Sequence, residues 1–163
     1  MKERIENTEE GSIILSSSKS LIVSLEAVKN GRAGLDAHRQ AILNRISNTG
    51  DWARFELNSI EMKDLAYLTA KVGDEFALLR GKKEDILFHG ERMKCTFTGE
   101  LEQLLRAHQL EIVGHSHPAE EIPIPSKSDR ETLREIGQAK STVISAMTGR
   151  MVSFGPDLFE TQI

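Results

Sequence analysis

The residues best suited to chemistry lie in one stretch, His115-Ser116-His117-Pro118 followed by Ser126-Lys127-Ser128-Asp129. The apolar run before it, Leu110-Glu111-Ile112-Val113-Gly114, reads as a short strand. Alternate residues of a strand share a face, so His115 and His117 project side by side from its C-terminal end. Pro118 has no N–H to give to a ladder and closes the strand. Two imidazoles and the carboxylate of Asp129 make a zinc ligand set with one position left open, the arrangement of a hydrolytic site.

Plainer readings exist for each residue. A lone histidine is usually a surface or packing residue. Ser128 and Glu131 fit a capping box, which puts Asp129 in the first turn of a helix, where the dipole alone favours an acid. The spacing as a whole weighs against coincidence: five fixed positions at average residue usage give a chance match in roughly one chain in 10⁵ of this size.

The pattern H-x-H-P-x7-S-x-x-D resembles the signature of the JAMM (JAB/MPN) metalloenzymes, and Asp74-Glu75-Phe76-Ala77-Leu78-Leu79-Arg80-Gly81 is similar to that family's upstream acidic element. The resemblance covers roughly residues 60–155. It implies an α/β fold of the α+β type, a mixed β-sheet flanked by helices as in MPN and cytidine-deaminase-like domains. It also implies a zinc-dependent hydrolase of peptide or isopeptide bonds. His115, His117 and Asp129 would be the zinc ligands, Glu75 the general base, with Asp74 beside it as the alternative carboxylate, and Ser126 the residue that steadies the oxyanion. The substrate would be a protein or peptide, ubiquitin-like proteins included. Other readings stay open: a non-catalytic MPN-like scaffold, or a JAB-like domain of a toxin or phage-head protein. Affinity alone would rank copper above zinc in such a site.

Composition sets outer bounds. At 163 residues the chain suits one domain, and its net charge of -4 argues against a nucleic-acid partner, which disfavours the DNA-associated RadC-type branch of similar proteins. No run is long enough for a membrane span, and residues 1–10 lack the apolar core of a leader. Cys95 has no disulfide partner and is expected to fill space on a strand, so a reducing, cytoplasmic compartment fits.

The elements that must position the site follow from periodicity. Residues 1–50 read as an N-terminal helical extension and 51–163 as the metallohydrolase-like domain. Residues 1–11 are polar and expected to fray; Ser12–Leu15 suits a short strand. One helix carries Leu21, Ile22, Leu25 and Val28; a second carries Leu35, Ile42, Leu43 and Ile46, with His38 near its stripe as a packing residue. The pair is expected as an αα-hairpin, with a tethering or homodimer-forming role resting on its apolar faces alone. Trp52–Leu57 alternates as a strand, and Asn58 and Glu61 stand at capping spacing before a helix that Gly73 ends, leaving Glu75 at the start of a strand. A hairpin turn at Gly81–Asp85 leads to a return strand Ile86–Phe88, a further strand Met93–Phe97 and a helix Glu100–Gln109. His89 and His108 read as surface and packing residues. Prolines 118, 123 and 125 stiffen the loop between the ligands, a helix runs from Asp129 to about Ile136, and Thr142–Met147 and Met151–Phe154 are the last strands. Leu158, Phe159 and Ile163 are expected to dock on the domain or on a partner.

Overall fold

The computed structural model describes residues 3–8, 11–16 and 18–157, the first two segments by backbone pairing alone; Leu158, Phe159 and Ile163 lie outside the described residues. In chain order the elements are β1 (Glu3–Thr8), β2 (Gly11–Ser16), α1 (Lys19–Lys29), α2 (Ala37–Arg45), β3 (Trp52–Glu56), α3 (Met62–Val72), β4 (Phe76–Arg80), β5 (Glu84–His89), α4 (Gly99–Arg106), β6 (Glu111–His117), α5 (Lys127–Ile136), β7 (Ser141–Ser145) and β8 (Met151–Phe154). Among the described residues the strands form one mixed sheet in the order β1-β2-β8-β7-β6-β4-β5-β3. β6 and β7 run parallel, and the other neighbouring pairs are antiparallel. The chain is thus a mixed α+β protein. Residues 3–8 do not fray: they pair with β2 in a hairpin at the β8 side of the sheet.

The sheet carries a core on each face. Ala77, Leu79, Ile86, Phe88, Ile112, Val143 and Phe154 pack under α4 and α5. Phe76, Leu78, Leu87 and Ile144 pack under α1, α2 and α3. Alternate residues of β4, β5 and β7 serve opposite cores, so β4 is apolar over Phe76–Leu79, β5 over Ile86–Phe88 and β7 over Val143–Ile144, as strand segments buried on both faces must be. Leu25, Val28, Ile42, Leu43 and Ile46 of the N-terminal helices are buried in the second core with Leu65, Leu68 and Phe76. Both helices lie against α3. No helix among the described residues is long and apolar enough to cross a membrane.

Several elements differ from expectation. α3 is capped by Glu61, whose partner in the capping box is Asp64, three residues later than the Asn58 start. Asn58 instead sits in the turn before it at φ 63. Residues 93–97 are not a strand: β5 already has β3 and β4 on its two edges, and the segment pairs with no strand. Their alternation still serves packing, since Cys95 and Phe97 rest on the α4–α5 core. His38 is exposed.

Asp85 ties the front of α3 to the β4–β5 hairpin. It is wholly buried and accepts from Arg80 Nε (2.7 Å), Arg80 Nη2 (3.2 Å) and the N–H of Ile60 (3.1 Å). Burial alone would raise its pKa, but the Arg80 bond and the backbone N–H groups outweigh it and hold the carboxyl below its ordinary value. Asp85→Asn is expected to cost about 2–3 kcal/mol in urea unfolding, because it leaves Arg80 and a buried N–H poorly matched. The folded pKa lies below the unfolded one, so the contribution is complete above about pH 4 and fades as pH falls through the folded value. The gap between parent and variant should therefore close on acidification, and a gap independent of pH would exclude an ionic contribution.

Candidate metal centre

The position of the two histidines is set by a bulge. Leu78 pairs with Gly114 and Leu79 with Ile112, which leaves Val113 without a partner on β4. Val113 rests on the α3-side core, and a Cβ on Gly114 would point the same way, within 2.5 Å of the Met62 side chain and 2.6 Å of the Thr142 carbonyl. Two successive residues on one face shift the alternation by one. His115 therefore joins Ile112 on the α4–α5 side, opposite Ala77 and Val143, with its ring edge-on to Phe154. His117 follows on the same face. Ser116 points the other way, where its hydroxyl meets Thr69 Oγ1 (2.6 Å) and accepts from the N–H of Phe76 (3.0 Å).

The carboxylates arrive from two elements. Glu75 precedes β4; its N–H donates to the Glu91 carbonyl and its carbonyl accepts from Gly90, both at 2.8 Å. A Cβ on Gly90 would stand 2.6 Å from Cys95 Sγ and 2.9 Å from the Lys94 carbonyl, so the turn that brings Cys95 beside Glu75 requires glycine there. Asp129 comes from the first turn of α5. The cap is Ser126, not Ser128: Ser126 Oγ accepts from the N–H of Asp129 (2.9 Å), and Asp129 Oδ2 accepts from the N–H of Ser126 (2.8 Å).

These residues converge. His115 Nε2 lies 3.1 Å from His117 Nε2 and 3.1 Å from Asp129 Oδ2, and His117 Nε2 lies 3.3 Å from the same oxygen. Glu75 Oε2 is 3.7 Å from His117 Nε2, and one potential ligand atom from each of the four residues lies within 4.8 Å of the others. Donors about 2.1 Å from a shared ion stand about 3.0 Å apart at right angles and about 3.4 Å apart at tetrahedral angles. The observed triangle lies between those values, so it fits one divalent cation and leaves the coordination number open. Glu120 accepts from His117 Nδ1 at 2.8 Å, which makes Nδ1 the protonated nitrogen of a neutral ring and turns the Nε2 lone pair inward.

Burial and the charges inside the cluster oppose one another. Burial raises the Glu75 carboxyl to about 8, although the charge of His117 opposes this. Burial alone would lower His117, but the Asp129 hydrogen bond and the charges of Glu75 and Asp129 override it and raise the ring to about 9. Burial would likewise raise Asp129, but His115, His117 and the Ser126 N–H hold it far below the usual carboxylate range. The Cys95 thiol, 3.9 Å from Glu75 Oε1, is pushed up by burial and by the neighbouring carboxylates. A divalent ion supplies the same compensation as these protons and displaces them, so metal and proton compete for one set of atoms.

Four of the residues singled out by spacing, Glu75, His115, His117 and Asp129, thus stand together, and Ser126 caps the helix that delivers Asp129. Asp74 is elsewhere: its Oδ2 is held by His89 Nε2 at 2.8 Å. His89 is correspondingly not a surface residue but buried, with Nδ1 on the Ile46 carbonyl at 2.7 Å. Spacing did not single out Glu120, although an acid three residues past the second histidine was a readable signal. No protein-family model matches the chain, and neither the curated proteins nor the solved structures contain a significant match to it.

Titration with zinc against a chromophoric chelator is expected to show about one site per chain. The site should be lost in a His115→Ala/His117→Ala double variant and weakened about 10–100-fold in Glu120→Gln. Unchanged affinity in the double variant would remove the cluster as a metal site.

Proposed function

We propose that the chain is a zinc-dependent hydrolase of JAMM type, cleaving a peptide or isopeptide bond on an MPN-like scaffold. The observation that carries this is the convergence of two imidazoles from one strand and an acid from the next helix, with a second, buried carboxylate across from them. The motif spacing supports it independently, because H-x-H-P-x7-S-x-x-D and the upstream Glu75 name the same residues that the fold gathers.

His115, His117 and Asp129 would hold the metal. When bound, zinc supplies Lewis acidity, making a water acidic near neutral pH and polarising the amide carbonyl. Glu75 lies outside the ligand triangle, on a rigid strand start, with Oε2 turned toward His117. It takes a proton from the water as the water oxygen bonds to the carbonyl carbon, and returns that proton to the nitrogen as the C–N bond breaks. The Ser126 hydroxyl already accepts the Asp129 N–H, so its own hydrogen remains to donate to the developing oxyanion. Glu120 keeps the His117 ring in one tautomer and orientation throughout.

Purified protein is expected to carry about one zinc per chain. Glu75→Gln should lower kcat by about 10²–10⁴-fold on a cleavable peptide while zinc content stays that of the parent. Ser126→Ala should lower kcat by about 10²-fold or more and cost roughly 1 kcal/mol of stability through the lost cap. A Glu75→Gln enzyme as fast as its parent would rule out Glu75 as the base.

A further inference from the structure

The metal cluster has two unequal surroundings. Behind it, His115 and Asp129 border a small cavity of about 20 Å³ lined also by Cys95, Ile112, Leu133 and Phe154, with room for about one water. In front, Glu75, His117 and Ser126 open into a groove of about 910 Å³. A substrate large enough to fill that groove has to approach from its side.

The groove's lining combines apolar and cationic side chains. Val72, Met93 and Ile124 line it, and Ile122 belongs to the same loop. The three in the lining are among the five large apolar side chains that are exposed among the described residues, and Met93 is 82 % exposed. Apolar side chains gathered at one concave place, rather than scattered, mark a binding surface. Cations stand beside them: Lys29, Lys71 and Arg92 line the same groove, and none of the three has an ion-pair partner among the described residues. Lys29 and Lys71 stand in the last turns of α1 and α3, whose dipole ends offset only about half a charge each. The carboxylates of the groove, Glu75 and Glu120, already face His117. Three cations on a chain of net charge -4 leave a local positive excess beside apolar surface.

We propose that this groove takes an extended segment of a separate polypeptide in which acidic residues flank an apolar one, with the amide to be cut laid against Glu75. The inference rests on the hydrolase reading above and adds the substrate class to it. The apolar side chains seat the central residue, and Lys29, Lys71 and Arg92 pair with the flanking acids. A polypeptide fits better than a nucleic acid because the exposed wall is aliphatic: it offers no ring for a base to stack on.

The test separates binding from turnover. Glu75→Gln protein loaded with zinc is titrated with a fluorescein-labelled peptide of about ten residues, enough to run the length of such a groove, carrying Leu-Gly at its centre and Glu on both sides. A counterpart has Lys for every Glu. The acidic peptide should bind about tenfold tighter at low salt and lose that advantage as ionic strength rises. Adding K29E, K71E and R92E should abolish the preference while circular dichroism and zinc content match the parent. Equal binding of the two peptides, a preference that survives the triple variant, or displacement by an equimolar single-stranded oligonucleotide would each overturn the proposal. Cleavage by the zinc-loaded parent is followed separately by mass spectrometry. If both peptides are cut at equal rates, the groove proposal falls and the hydrolase stands. Charge-dependent binding with no cleavage of either keeps the groove and counts against the hydrolase.

Discussion

One carboxylate oxygen joins the two halves of the site. Asp129 Oδ2 accepts the N–H of Ser126 at 2.8 Å and faces both imidazole Nε2 atoms, at 3.1 and 3.3 Å. The capping box of α5 and the candidate ligand set therefore share an atom. This makes the two roles of Asp129 compatible rather than alternative. An acid at the third position of a helix is favoured by the dipole and the free N–H groups, and the same bonds fix its carboxylate so that a metal would meet it already oriented. Loss of the cap would let the start of α5 move, and with it the third corner of the triangle.

The other two corners depend on the sheet. β6 is held between β4 and β7: His115 pairs with Ala77 on one side and Val143 on the other, and His117 with Ser145 of β7. The loop that follows is also fastened: the N–H of Ala146 donates to the His117 carbonyl at 2.9 Å, Ser145 Oγ donates to the Glu120 carbonyl, and Thr148 Oγ1 donates to the Glu121 carbonyl at 2.6 Å. Prolines limit that loop, but these bonds from the end of β7 and the turn after it decide where Glu120 sits. Two buried histidines held this tightly have little freedom to turn apart, so the cost of bringing like-natured donors together is met by the fold rather than by the ion.

What was legible in the sequence was whatever depends on neighbours along the chain. The i, i+2 relation of His115 and His117 follows from strand geometry, the ends of α3 and α5 from Gly73 and Gly137, and the strand at Trp52–Glu56 from alternation. Choices between near-equal local signals were not legible. Ser126 and Ser128 both offer a cap with an acid three residues on; the histidines take Asp129 and so select Ser126. The face on which the histidines emerge depends on the bulge at Val113, and no periodicity announces a residue that is simply left unpaired. His89 looked idle because its partners, Ile46 and Asp74, come from other elements. The 93–97 segment alternates like a strand, but Cys95 and Phe97 are drawn onto the α4–α5 core and β5 has both edges taken.

The helices set apart in the sequence as an extension bear on the site through that same His89. Its ring bridges the Ile46 carbonyl, at the C-cap of α2, to the carboxylate of Asp74, the residue next to Glu75. Thr69 of α3 adds a second tie, donating to the Asp74 carbonyl at 2.8 Å while its oxygen also meets Ser116, between the two histidines. Both lines are buried or half-buried, and buried polar groups are costly to leave unmatched. A shift of α2 or α3 would therefore unpair Asp74 or Ser116 before it disturbed any candidate ligand directly. The approach of Glu75 to His117 is set in this way by packing that involves residues 18–46, so the N-terminal helices act on the geometry of the cluster without contributing a group to it.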